Sequence, residues 1–256
     1  MASSNLGSNT QRILDPIDYA LHSPSMKPVM FEVTEHKVHK MRTYGYNDNI
    51  WSISDPLTNE FRVLRPSELV CYNRYNDQLL RMIPNESYVK TREPVVMFVN
   101  GACQEYRTAK DMYSPVVAGY GVFLANDSPF TCAGRVPKEA NQTIEAAEIF
   151  AALEAVEMAK GNLVPRKLCK TGVVIITDSS YLFEAVTKYT YSWLSNGLKN
   201  LEAHLATNRA AIMELHRTIE ELEDCGISVC FWKVLREDNL ESHRLARVAL
   251  GTCPLP

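Results

Sequence analysis

The sequence predicts an α/β fold, a mixed five-stranded sheet flanked by helices with an N-terminal extension ahead of it. Two observations carry this. From Pro94 onward, apolar runs of strand length come first three in a row and then alternate with longer segments of helical periodicity, in the order β-β-β-α-β-α-α-β-α. Consecutive strands pair antiparallel and helical crossovers give parallel neighbours, so the sheet has to be mixed. The stretch is about 160 residues long, the size of one compact domain.

Residues 95–99 (VVMFV) form a continuous apolar run, the mark of a buried strand. Residues 118–124 (AGYGVFL) give a second strand, with glycines where another backbone must approach closely. A weaker third covers 131–136. Residues 142–160 predict a helix, with Ala152, Ala155, Val156 and Ala159 on its apolar face. Residues 172–177 (GVVIIT) are another buried strand, and a shorter helix falls between 179 and 186. A long helix over 207–225 places Ile212, Leu215, Ile219 and Leu222 on one side, and Gly226 ends it. Residues 227–234 (ISVCFWKV) are the last strand. The last helix spans 239–250, with Leu240, Leu245, Val248 and Ala249 inward.

Residues 1–93 read as an appended, partly ordered extension. The first dozen residues are small and polar and predict a disordered tail. Prolines are spread through the rest, and 11 basic residues balance 11 acidic ones. Strand-like runs occur at 29–33 and 60–64, with a short helical candidate at 66–73. No repeat or catalytic motif falls here.

The chain is 46% hydrophobic and 22% charged, which excludes wholesale disorder. No apolar run nears the roughly 18–20 residues of a membrane span. The first 25 residues lack the layout of a secretory signal. The expectation is an intracellular protein, cytoplasmic or nuclear, with no membrane partner. The seven cysteines form no CxxC pair or zinc spacing and read as reduced. The net charge of −3 means that nucleic acid would have to be held by a local patch, not by bulk charge.

Three residues fall where chemistry is often built. Asn100 follows the first strand, Asp178 follows the fourth, and Glu148 lies on the first long helix. Each also has a plain reading: Asp178 as a helix N-cap, Glu148 as a solvated helix residue.

Taken together, residues 95–250 resemble type 1 ribonuclease H. The likeness rests on FVNGAC (98–103), AGYGVF (118–123), TIEAAEIFAALEAVEMAK (143–160) and VIITDSSYL (174–182). It continues through Trp193, Asn196, Gly197 and Lys199, the Asn208-Arg209 pair, and FWKVLREDN…LAR (231–247). The wording is most similar to forms from filamentous fungi. The resemblance implies an RNase H-like fold that cuts RNA in RNA–DNA hybrids with two divalent metals held by four carboxylates. Mapped onto that pattern, two carboxylates remain, Glu148 and Asp178, as metal ligands. Asn100 and His243 stand where the other two belong. Halving the anionic charge takes a doubly occupied site from about neutral to about +2, worth several kcal/mol at close range.

Further departures touch the same region. The loop after the last strand is short and lacks histidine and glycine, and the turn after the first strand reads Gln104-Glu105-Tyr106. The segment expected to grip substrate offers Lys188 and Lys199 as bases. Its aromatics Tyr189, Tyr191 and Trp193 suit either base stacking or a core. Trp193, Asn196, Lys199, Asn208 and Arg209 are the candidate nucleic-acid contacts, although Asn208 also suits a cap. The expectation is an RNase H-fold nucleic-acid-binding or scaffold protein with a degraded site and weak or no hydrolysis. The alternative is an active hybrid endoribonuclease with a rebuilt site. Mg²⁺ or Mn²⁺ would be needed if active, and no cofactor otherwise. An RNA–DNA hybrid or other nucleic acid is the expected partner, and the extension can recruit a protein.

Overall fold

The computed structural model describes residues 29–30, 42–43, 52–54, 61–63, 65–73, 78–82, 94–104, 116–190 and 207–252. In the N-terminal third these form β1 (Val29–Met30), β2 (Arg42–Thr43), β3 (Ser52–Ser54), β4 (Phe61–Val63), α1 (Pro66–Leu69), β5 (Val70–Asn73) and β6 (Leu79–Met82). The remainder is β7 (Val95–Gln104), β8 (Val117–Phe123), β9 (Cys132–Arg135), α2 (Ile144–Met158), β10 (Gly172–Thr177), α3 (Ser180–Glu184), α4 (Arg209–Asp224), β11 (Ser228–Lys233) and α5 (Leu240–Ala249).

The predicted order holds from β7 to α5. The centre of the sheet runs β9-β8-β7-β10-β11, antiparallel through β7, β8 and β9 and parallel through β7, β10 and β11. The sheet is wider than the five strands expected. β6 pairs antiparallel with the start of β7, β5 pairs with β6, and β2 and β1 continue beyond β11. The helix expected over 66–73 stops at Leu69, because Val70–Asn73 instead pairs with Leu79–Met82. The first central strand outlasts its apolar run, since Asn100 to Gln104 stay paired with β8.

Alternation along the central strands splits the core. Val95, Met97, Val99, Val173, Ile175, Val229 and Phe231 face one cluster, which Ile149, Ala152, Val156, Phe183, Ile212, Leu215 and Ile219 complete from α2, α3 and α4. Val96, Phe98, Val174, Ile176, Cys230 and Trp232 face the other way, joined by Met82. α5 packs on that second face, over β8 and the far half of β7. α2 is capped by Thr143, which accepts from the Ala146 amide, and runs into a π-helical turn at Ala159–Leu163. Among the described residues no disulfide joins any two of the six cysteines. Among the described residues no helix is long and apolar enough to cross a membrane.

Candidate functional site

The parallel register of β7 and β10 pairs Val95 with Val173 and Phe98 with Ile176. Two residues further on, that register sets Asn100 beside Asp178. The Asn100 side-chain amide donates to Asp178 Oδ1 at 2.6 Å. Asp178 does not cap α3. Ser179 takes that role, its hydroxyl accepting from the Leu182 amide at 3.0 Å. Asp178 is thereby left to the site.

Glycines set the helices close. A side-chain carbon at Gly101 would stand 2.5 Å from the backbone nitrogen of Glu148, so only glycine admits α2 this near to β7. The tight docking brings Glu148 to the strand ends, where the Ser179 hydroxyl donates to its carboxylate. Burial pushes the Glu148 pKa up to about 7. The Ser179 bond opposes that rise, and the charges of Asp178 and Glu145 add to it.

Gly119 and Gly121 do the same for α5. Their missing side chains would meet Ala249, and the Ser242 carbonyl at 2.4 Å. The helix start thus lies over β7. Asn239 is 1% exposed. Its amide donates to the Val99 carbonyl at 3.0 Å and to Asp178 Oδ1 at 2.6 Å. The Ser242 hydroxyl donates back to the Asn239 side chain.

One turn along α5, His243 Nδ1 lies 3.5 Å from Asn100 Oδ1, and its Nε2 lies 3.2 Å from Arg236 Nη2. A guanidinium only donates, so Nε2 accepts and the imidazole proton sits on Nδ1, facing the Asn100 oxygen. The result is one directional chain, from Arg236 through His243 and Asn100 to Asp178. Burial and the Arg236 charge hold the His243 pKa below its ordinary value, with Asp178 opposing and Arg247 adding to the effect. Asn100, Glu148, Asp178, Arg236, His243 and Arg247 line one open cleft of about 460 Å³.

The four residues expected at the site therefore converge. Sequence reasoning missed Arg236, Asn239, Ser242 and Arg247. Asn239 opens the last helix in the REDN run, the position of an N-cap, yet its side chain makes no capping bond and turns into the sheet. Of the expected nucleic-acid contacts, Asn208 and Arg209 fall within the described residues. Trp193, Asn196 and Lys199 lie outside the described residues, as do Tyr191, Glu105 and Tyr106. Asn208 is 6% exposed and donates to the Tyr181 hydroxyl while accepting from Asn141. It stands at the N-cap position of α4 but makes no capping bond. Arg209 is exposed at the start of α4. Among the described residues no group of three or more His, Cys, Asp and Glu is placed to hold a metal ion.

The RNase H family model matches residues 92–230, more than half of the chain. The chain belongs to the RNase H family. Ribonuclease H1 of Rattus norvegicus is 23% identical over 152 residues, covering 59% of this chain and 49% of that protein. Ribonuclease H1 of Homo sapiens is 26% identical over 129 residues, covering 50% and 41%. The chain spans about half the length of the curated relatives it matches. Among solved structures, the PFV RNase H domain is 22% identical with a TM-score of 0.42, covering 62% of this chain and 95% of that one.

Proposed function

We propose that this RNase H family chain binds nucleic acid of the RNA–DNA hybrid class and hydrolyses it weakly or not at all. The observation that carries this reading is the hydrogen-bond chain that links three of the four site positions, His243, Asn100 and Asp178. The RNase H family generally uses divalent metals, but the donor set here does not fit a pair of them. Asp178 Oδ1 already accepts two amide donors. Asn100 turns its amide to Asp178 and its oxygen to His243. Both ring nitrogens of His243 are engaged, one by a guanidinium whose charge repels a cation. A hard pair of dications needs several anionic oxygens, whereas this site offers two carboxylates, each with one oxygen already engaged.

Two measurements test the reading together. Mg²⁺ titration calorimetry is expected to show no pair of tight sites. Hybrid cleavage in Mg²⁺ or Mn²⁺ is expected to be no greater for the wild type than for Asp178→Asn. Tight binding of two metals, with cleavage that disappears in Asp178→Asn, would instead establish an endoribonuclease with a rebuilt site.

A further inference from the structure

We propose that the cleft seats a phosphate oxyanion directly on Arg236 and Arg247, with no divalent metal between protein and ligand. The inference rests on the nucleic-acid reading above and names the chemistry by which that site would grip.

It starts from which acids are already taken. Arg236 has two acidic neighbours in its own turn. Asp238 is held by Arg65 at 2.8 Å, and Glu237 lies 3.9 Å from the same guanidinium. Glu241, at the start of α5, is held by Arg244 at 2.9 Å. Among the described residues neither Arg236 nor Arg247 pairs with a carboxylate. The polar partner of Arg236 is the imidazole of His243.

The three groups form a row. Arg247 lies four residues beyond His243, on the same face of α5, and Arg236 meets His243 from the preceding turn. Both arginines are exposed, Asp178, Glu148 and His243 are half-buried, and Asn100 is buried. An anion entering from solvent meets guanidinium groups first. One oxygen of each inner carboxylate is already engaged, that of Asp178 by the amides of Asn100 and Asn239 and that of Glu148 by the Ser179 hydroxyl. Guanidinium forks match the tetrahedral oxygens of phosphate in a way that a single ammonium does not. The positive charge that metals would bring to such a cleft is thus supplied by the chain itself.

The test uses the whole chain in EDTA with two probes, a fluorescent RNA–DNA hybrid followed by anisotropy and inorganic phosphate followed by calorimetry. The variants are Arg236→Gln, Arg247→Gln and the pair. The hybrid is expected to bind in EDTA, each single change to weaken it about tenfold, and inorganic phosphate to compete. The double variant should reduce the salt slope of log K by about 2. If inorganic phosphate binds and the double variant loses it while the hybrid does not bind, the seat stands and its source is a small phosphorylated ligand. Three results overturn the proposal: neither probe binding the wild type in EDTA, binding that needs Mg²⁺, or a double variant that binds both probes as the wild type does. If the double variant unfolds, Arg236→Lys with Arg247→Lys takes its place; the charge is kept, so the salt slope should stay while losing the guanidinium forks weakens both probes, and unchanged affinity would overturn the proposal. Hydrolysis in Mg²⁺ would sink the functional reading and leave the result in EDTA untouched.

Discussion

Glu148 is a carboxyl group held at the edge of two states. Its folded pKa is about 7 against an ordinary 4.5, so the folded protein keeps a proton that the unfolded chain has lost. Its contribution to stability is full below pH 4.5 and falls as pH rises toward 7, by roughly 3 kcal/mol in all. His243 acts in the opposite sense. Its folded pKa lies below 6.5, so its contribution is present above that value and is lost as pH falls. Glu148→Gln removes the first effect alone. Denaturant midpoints from pH 5 to 8 should decline less steeply in the variant and stand higher at pH 8; an unchanged slope would assign the titration to another group. At this scale the sequence was legible in part. Element order placed Asn100, Glu148 and Asp178 near one another and the family resemblance added His243, but whether their polar atoms face a ligand or each other depends on rotamers. Nothing in the run DSS separates a capping Asp178 from a capping Ser179.

At the scale of elements, the site exists because α2 and α5 dock at glycines. Gly121→Ala would drive a methyl group into the Ser242 carbonyl and the Ala246 nitrogen, both backbone atoms. Neither can swing aside, so the helix must lift. The expected cost is about 1–3 kcal/mol, with the Asn239 to Asp178 bond broken. Gly161 is the control, since a methyl there meets nothing within 4 Å. Gly161→Ala should leave stability unchanged or raise it by up to about 1 kcal/mol. Thermal unfolding of the two variants checks both. The long helices were readable because burying one face of α4 demands Ile212, Leu215, Ile219 and Leu222 at helical spacing. The break between α1 and β5 was not, because Val70–Asn73 becomes a strand only through its distant partner, Leu79–Met82.

Across the whole molecule, β5 and β6 of the N-terminal third are strands of the main sheet. Leu80 and Arg81 pair with Val96 and Val95, Leu79 is 0% exposed in the main core, and Met82 sits in the second cluster. The Arg81 guanidinium also donates to the Leu168 carbonyl. A chain that begins at Pro94 would uncover one edge of β7 and should unfold at a lower temperature than the full chain. Leu79→Ala should cost about 2–5 kcal/mol. Calorimetry of the two chains would show a single transition for the full chain; an independent, unshifted transition for the shortened one would separate the two parts. These contacts were hidden from the sequence because the strands involved are four residues long and lie among prolines. Only pairing with β7 defines them.

The chain of donors from Arg236 to Asp178 also orders the routes by which this site can change. Asn100→Asp alone sets two carboxylates where an amide now bridges 2.6 Å, and like charges that close exclude one another unless a proton stays behind. His243→Asp alone meets a waiting guanidinium and gains an ion pair. The first step is uphill and the second downhill, so of the two single replacements the easier lies at position 243. The two single variants and their double, compared by unfolding, should show Asn100→Asp costing more than His243→Asp, and costing more still once His243→Asp is in place, since a carboxylate at position 243 adds a further like charge beside position 100. The present arrangement then works as a ratchet, entrenched less by the strength of any one bond than by the order in which its residues can be replaced.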